Sequence, residues 1–376
     1  MPSQSKGSKE IDDSELHGTL LGVGHPLLDI SCEVDRKMVM KYALRMDDTI
    51  MAEERHKPIY SELKSRKNVK YIAGGSTLNT LRVAQWMFGS QRATSFIGSI
   101  GNDACAKKLI SCVKEDGVEA HFQVEKDTPT GKCACLIVDK ERSLVTDLQA
   151  AKKYKLEHLK QSKILSVCSK ARIIYISSFM LNGNLDTVMY LAKNCSQTIF
   201  CMNLSAPFIM AVPHLQGALK GVLPYIDVLF GNEVEAKAFS SMMRYKTDDI
   251  EKIAALASSE KSVKAIERTK MVIFTKGPEC TVVAQDGDAV KYEVPTLDYK
   301  KIVDTNGAGD AFVGGFLSQL IAGHPSEICV DAGHFASQTI IQTSGTALPY
   351  ENPSYCPKNA TLFQGLKPDK WRSCCL

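Results

Sequence analysis

The stretch Ile302–Phe316, reading IVDTNGAGDAFVGGF, restricts this chain more than any other. Ile302 and Val303, a β-branched pair, run into the polar stop Asp304-Thr305-Asn306. Gly307, Ala308, Gly309 and Asp310 come next, then apolar residues at helical spacing (Phe312, Phe316, Leu320). That order predicts a strand, a tight glycine turn and a helix start. The first N–H groups of such a helix lack an intrahelical partner and carry the positive end of its dipole. Glycines let an anion approach them closely. Asp310 falls in the first turn, where dipole and burial pull its pKa in opposite directions. The dipole is expected to win, leaving a carboxylate that can accept a proton beside an anion site. Phosphoryl transfer to a hydroxyl needs that combination. Taken alone, the turn reads equally well as a helix cap with glycines for close packing.

The remaining sequence narrows the choice. A length of 376 residues suits one large α/β domain with an accessory piece, and a formal charge of +4 without a dense basic stripe argues against nucleic acid as a partner. No apolar run approaches the ~18 residues of a membrane span. Thirteen cysteines show no paired CxxC spacing and follow no secretory segment, so reduced thiols in a cytoplasmic or nuclear chain are expected. Ser373 stands where a prenylation box would place cysteine, so Cys374-Cys375-Leu376 reads as an ordinary tail.

Residues 1–17 are polar and lysine-rich and are expected to be disordered, as an N-terminal tail. Thr19–Gly24 predicts a strand. Its Gly22-Val23-Gly24 is a poor dinucleotide fingerprint, because Leu27 occupies the third glycine position. Short alternating pieces from Asp29 to Met51 and from His121 to Leu148 predict a small second sheet, a lid drawn from roughly 28–75 and 120–150. Gly74-Gly75-Ser76 opens a helix carrying Asn79, with Ser76 or Thr77 as the simple alternative of an N-terminal cap. From Arg172 to Thr275, strands and helices alternate, as in a parallel sheet with helices on both faces. The main domain then spans about 18–350, with 351–376 as a second tail.

In such a sheet, ligands sit beyond the carboxyl ends of the strands. Asn203, Asn232, Thr275 and Asp304 fall at or just after those ends, with Gly277 in the loop that follows. Asn232 and Glu235 can face one cleft and hold the hydration shell of Mg²⁺, or they can simply cap a helix. Arg142, in the lid, is either a clamp for a transferring phosphoryl group or one surface arginine among many. His334, inside an amphipathic helix, is either packed or at the edge of a nucleotide.

Several segments together resemble the PfkB, or ribokinase-like, carbohydrate kinase family, over about Leu20–Pro349. They are GHPLLDI at Gly24–Ile30, AGGSTLNT at Ala73–Thr80, AQWM at Ala84–Met87, PTGKCA at Pro129–Ala134, NLSAPF at Asn203–Phe208, LFGNEVEA at Leu229–Ala236 and DTNGAGDAFVGGFLSQL at Asp304–Leu320. Within the family, the chain is most similar to the branch that phosphorylates adenosine.

The resemblance implies a three-layer α/β domain with a mostly parallel sheet and a β-rich lid, acting as a monomer on adenosine and ATP with Mg²⁺. Asp29 would bind the ribose hydroxyls with Gly74, Gly75, Ser76 and Asn79 around the sugar, and Asp310 would be the base. Gly307, Ala308 and Gly309 would form the anion hole beside Asn306, with Arg142 clamping the phosphates. Asn203, Thr275, Gly277 and His334 would contact ATP, while Asn232 and Glu235 would organise magnesium, mostly through water. Leu27, Met51, Cys133, Leu144 and Phe179 would enclose the adenine ring.

His25 departs from that pattern, which has asparagine there; an imidazole is larger and can gain a proton near neutral pH. Thr146 and Thr49 also differ. A kinase for another nucleoside, or a nucleoside-binding protein with little catalysis, are the alternative readings.

Overall fold

The computed structural model describes residues 16–46, 48–89, 92–139, 141–264 and 268–355. Most of both expected tails, including Cys374-Cys375, lies outside these residues. No helix among the described residues is long and apolar enough to cross a membrane.

In chain order, the strands are β1 (Leu20–Val23), β2 (Leu27–Glu33), β3 (Asp48–Met51), β4 (Lys70–Gly74), β5 (Thr94–Gly101), β6 (Glu119–Glu125) and β7 (Lys132–Val138). They continue with β8 (Glu141–Asp147), β9 (Ile173–Ser177), β10 (Ile199–Asn203), β11 (Val228–Asn232), β12 (Met271–Thr275), β13 (Cys280–Gln285) and β14 (Asp288–Glu293). The larger sheet runs β14-β13-β12-β11-β10-β9-β1-β5-β6. Neighbours from β12 to β6 are parallel, and β13 is antiparallel to both of its neighbours, β12 and β14. The smaller sheet runs β3-β8-β7-β2-β4.

The central strands are continuous apolar runs because both faces are covered. Tyr175, Cys201 and Phe230 enter one core, while Ile176, Phe200, Met202 and Leu229 enter the other. A strand buried on one face would alternate with polar residues instead.

Two expectations change. The stretch at Glu119–Glu125 belongs to the larger sheet and pairs in parallel with β5. Its alternation is that of an outer strand, with Phe122 packed on the core and Val124 exposed. Ile302-Val303 forms no strand. Ile302 N donates to Tyr299 O at 3.1 Å, and the N–H groups of Val303 and Asp304 both donate to Ile341 O, at 2.9 and 3.1 Å, so the segment is held by a local turn and the end of the Ser326–Ile340 helix rather than by a sheet. The β13–β14 hairpin is an addition that the alternating pattern of the chain did not announce.

Two helices position the glycine turn. Ala308–Ile321 packs against Ser76–Phe88 at Gly314, where a Cβ would lie 2.6 Å from Thr80 O. Asp310 lies one turn before Gly314 and Ser76 one turn before Thr80, so the same close crossing brings Asp310 to Ser76.

Candidate active site

Asp310 sits in the first turn of the Ala308–Ile321 helix, behind an N-cap, Gly307, whose φ of 77° is in the left-handed region. Ser76 Oγ donates to Asp310 Oδ1 at 2.7 Å and Asn79 Nδ2 donates to Oδ2 at 3.0 Å. Neither Ser76 nor Thr77 caps its own helix; Gly75 is the N-cap, and Thr77 Oγ1 accepts from Ser177 N at the end of β9. Burial, not the dipole, dominates Asp310. Its pKa is pushed up to about 6, with the two hydrogen bonds pulling it back down. It is still mainly a carboxylate at neutral pH.

Ser76, Asn203, Asn232, Glu235, Thr275, Asn306, Gly307, Ala308, Gly309 and Asp310 line one cavity of about 350 Å³, together with Ser205 and Thr305, which the sequence reading did not single out. The register explains the gathering. Asn232 pairs with Thr275 across β11 and β12, and Asn203 pairs with Phe230, so the carboxyl ends finish level. A Cβ on Gly309 would meet nothing within 4 Å, so chain packing does not demand glycine there. Open space over the positive end of a helix suits an anion, although the first helical N–H, that of Ala308, donates to Thr305 O at 3.2 Å.

Asn232 and Glu235 are both a cap and part of the cavity wall. Asn232 Oδ1 accepts from Glu235 N at 2.9 Å, and Glu235 Oε2 accepts from Asn232 N at 3.0 Å. Burial, and then the charge of Asp310, raise the Glu235 pKa to about 7, against the hydrogen bond from Asn232.

Asp29 projects from β2, its carboxylate packed so closely on Gly74 that a side chain there would overlap it. Gly75 has a φ of 97° and lies against His25 O, leaving no room for a Cβ. Burial raises the Asp29 pKa to about 7; Arg82 and then Arg142 oppose the rise, and Asp310 adds to it. Leu27, Cys133 and Leu144 gather in one apolar cluster with Ala151. Met51 and Phe179 stand apart from it. Met51 is exposed opposite Thr146 on β8, and Phe179 packs on Phe208 with ring centroids 6.2 Å apart.

Three placements differ from expectation. Arg142 does not line the cavity; it is buried, with Nε 2.6 Å from Asp304 Oδ2. His334 is also buried away from it, with Nε2 2.9 Å from Thr281 Oγ1 and its ring on Phe312, and burial lowers its pKa to about 4. His25 is not poised to charge. Asn184 Nδ2 donates to Tyr154 O at 2.8 Å, which turns Asn184 Oδ1 toward His25 Nε2 at 2.9 Å. Nε2 must then carry the hydrogen, and burial lowers the imidazole pKa. Gly277, with a φ of 51°, lies just beyond the cavity lining. Arg82 and Thr346 are site-organising residues that the sequence reading did not assign, and Asp304, expected just after a strand end, instead pairs with Arg142.

Residues 36–353 match the model of the pfkB family of carbohydrate kinases. Adenosine kinase 1 of Arabidopsis thaliana is 43% identical over 345 residues, covering 91% of this chain and 99% of that protein. The crystal structure of Anopheles gambiae adenosine kinase in complex with P1,P4-di(adenosine-5) tetraphosphate aligns with a TM-score of 0.80 at 37% identity, covering 88% of this chain and 97% of that one. Adenosine kinase from Schistosoma mansoni in complex with adenosine and AMP aligns with a TM-score of 0.80 at 33% identity, covering 90% and 99%. Likeness in sequence and in backbone extends over nearly the whole chain, including the glycine turn and both sheets, and on that ground the chain belongs to the pfkB family of carbohydrate kinases.

Proposed function

We propose that this protein transfers the γ-phosphate of ATP to the 5′-hydroxyl of adenosine, giving AMP and ADP. The observation that carries the reading is the seat of Asp310, a buried carboxylate held by Ser76 and Asn79 at the edge of a cavity floored by the N-terminus of its own helix. The relatives named adenosine kinases support the choice of acceptor.

The 5′-hydroxyl donates its proton to Asp310 as its oxygen bonds to phosphorus, and ADP leaves with the electrons of the broken P–O bond. Proton transfer is late in a loose transition state, so Asp310 first orients the hydroxyl and then accepts the proton. The N–H groups of Gly307 and Gly309 face the transferring oxygens, and Ala308, whose own N–H donates to Thr305 O at 3.2 Å, joins them in the turn. Asp29 accepts hydrogen bonds from the ribose hydroxyls, with Gly75 and Asn79 beside it. Leu27, Cys133 and Leu144 receive the adenine ring, with Met51 and Phe179 closing on it. Asn203, Thr275 and Gly277 hold ATP, and Arg142 supplies positive charge from the smaller sheet.

Among the described residues, the cavity lining contains two carboxyls, Glu235 and Asp310, and no Lys, Arg or His. A triphosphate entering it therefore needs a cation of its own, and Glu235, an oxygen donor whose pKa is raised by burial and then by the charge of Asp310, fits Mg²⁺. Asn232 and Glu235 would hold the ion through its waters. When bound, Mg²⁺ offsets charge on the phosphate oxygens.

The test is coupled ADP release from Mg·ATP over a panel of nucleosides and ribose sugars, with Asp310→Ala alongside. Adenosine-dependent turnover that falls at least ~10²-fold in the variant is expected. Near-parental turnover in Asp310→Ala with nucleoside binding unchanged removes Asp310 as the base; turnover with another nucleoside alone removes adenosine.

A further inference from the structure

Arg82 lies one turn beyond Asn79 on the Ser76–Phe88 helix and is 3% exposed. Its Nε pairs with Asp116 Oδ2 at 2.5 Å. Nη1 faces Ala73 O at 2.7 Å, Thr346 O at 3.1 Å, Thr346 Oγ1 at 3.3 Å and Asn79 Oδ1 at 3.4 Å. One guanidinium thus meets three places that bear on the site. Ala73 precedes the Gly74-Gly75 pair, Thr346 packs so closely on Gly307 that a Cβ there would meet its Cγ2 at 2.5 Å, and Asn79 is a direct partner of Asp310.

The contact with Asn79 has chemical content. An amide can turn over, presenting either its oxygen or its NH₂ to a neighbour. Here the two sides of the amide face a cation and a carboxylate. Turned over, it would set NH₂ against the guanidinium and oxygen against Asp310, repulsive on both sides. Arg82 therefore selects the orientation in which Nδ2 donates to Asp310. Its charge is also the first of those that oppose the effect of burial on Asp29.

We propose that Arg82 is a positioning residue of the phosphoryl-transfer centre: its guanidinium fixes the Asn79 amide toward Asp310 and sets a buried positive charge toward Asp29. This rests on the nucleoside kinase reading and deepens it. The groups facing Asp29 are Arg82, Arg142, Asp310 and the thiols of Cys133 and Cys135; those facing Asp310 are Ser76, Asn79, Asp29, Glu235 and Tyr175. Among them, Arg82 and Arg142 carry the positive charge, so losing Arg82 makes Asp29 easier to protonate directly, and makes Asp310 easier to protonate by freeing the Asn79 amide whose hydrogen bond holds its pKa down.

The experiment compares Arg82→Met, Arg82→Lys and Asp116→Ala with the parent protein in melting temperature and in pH profiles of kcat and kcat/KM for adenosine. Parental adenosine turnover is established first, so that a failed kinase reading is seen separately. Arg82→Met is expected to lose at least about tenfold in kcat/KM, with the acid limb moved to higher pH. Arg82→Lys, which retains the charge but not the fork, is expected to restore the limb while kcat remains several-fold low. Asp116→Ala removes the ion pair but leaves Asn79 and its neighbour in place, so it is expected to lower the melting temperature with the limb unmoved. An Arg82→Met protein that folds with parental limb and kcat overturns the proposal. If that variant does not fold, Arg82→Lys decides: parental kcat overturns the proposal, and a kcat deficit that Asp116→Ala does not share supports it.

Discussion

Arg142 Nε lies 2.6 Å from Asp304 Oδ2, and both side chains are buried. The pair joins β8 of the smaller sheet to the residues that lead into the glycine turn. Asp304 Oδ1 also accepts from Asn306 N at 3.0 Å and its Oδ2 from Gly345 N at 2.8 Å, while Arg142 Nη2 donates to Ser344 Oγ at 2.8 Å. A guanidinium so placed reaches a phosphate only by exchanging one anion for another.

Removing one partner of a buried pair leaves the other charge uncompensated. Asp304→Ala is accordingly expected to cost about 3 kcal/mol of unfolding free energy. Combining it with Arg142→Met is expected to cost less than the sum of the single changes, read from denaturant midpoints. Simple additivity would show that the two residues are not energetically coupled.

The Ser76 hydroxyl stabilises the charged form of Asp310. With Asp310 at about 6 and Asp29 at about 7, the acid limb of kcat/KM is expected between about pH 6 and 7, activity rising with pH as the base and the ribose acceptor lose their protons. Ser76→Ala removes a bond that lowers the Asp310 pKa, so its limb is expected at higher pH. A limb moved to lower pH contradicts the assignment of the base.

Asp29 has a folded pKa of about 7, above its ordinary value. The native state therefore binds a proton that the unfolded chain has already released. The contribution of this group to stability is complete below about pH 4 and is lost as pH rises through 7. Asp29→Asn is expected to flatten the fall in melting temperature between about pH 4 and 7 in the ligand-free protein, and to raise KM for adenosine. An unchanged pH slope would mean that Asp29 does not carry it.

Glu235→Gln preserves an oxygen for the helix cap while removing the carboxylate. The Mg²⁺ concentration for half-maximal ADP release is expected to rise about tenfold, as when an outer-shell oxygen partner is lost. Melting temperature is expected to fall modestly, because the new amide nitrogen faces Asn232 Nδ2, which donates to Glu235 Oε1 at 3.0 Å in the parent protein. A magnesium titration superimposable on that of the parent places the ion elsewhere.

Legibility followed the range of the physics. Patterns set by neighbours in the chain were readable: the apolar strands at Arg172–Ser177 and Thr198–Asn203 and the glycine turn before Asp310 each carry their own signal. What depended on contacts between distant segments was not. Glu119–Glu125 alternates like a strand of either sheet, and only its pairing with β5 decides which. Ile302 and Val303 have the composition of a strand, but Ile302 N donates to Tyr299 O in a local turn and Val303 N to Ile341 O. The competition between dipole and burial at Asp310 could not be resolved before the depth of its seat was known. Arg82 is an unremarkable helix residue until Asn79, Ala73 and Thr346 meet around it.

The smaller sheet is entered twice by the chain. Strands β2, β3 and β4 come from one excursion and β7 and β8 from another, and β2 pairs with β7 across the two. No single cut therefore releases it as a fragment, and no continuous gene segment encodes it. A laboratory graft of this piece onto a relative must replace both excursions together, since either alone would leave the β2–β7 seam facing a foreign edge. A protease nick in one excursion would likewise leave the nicked piece tethered through hydrogen bonds to the other.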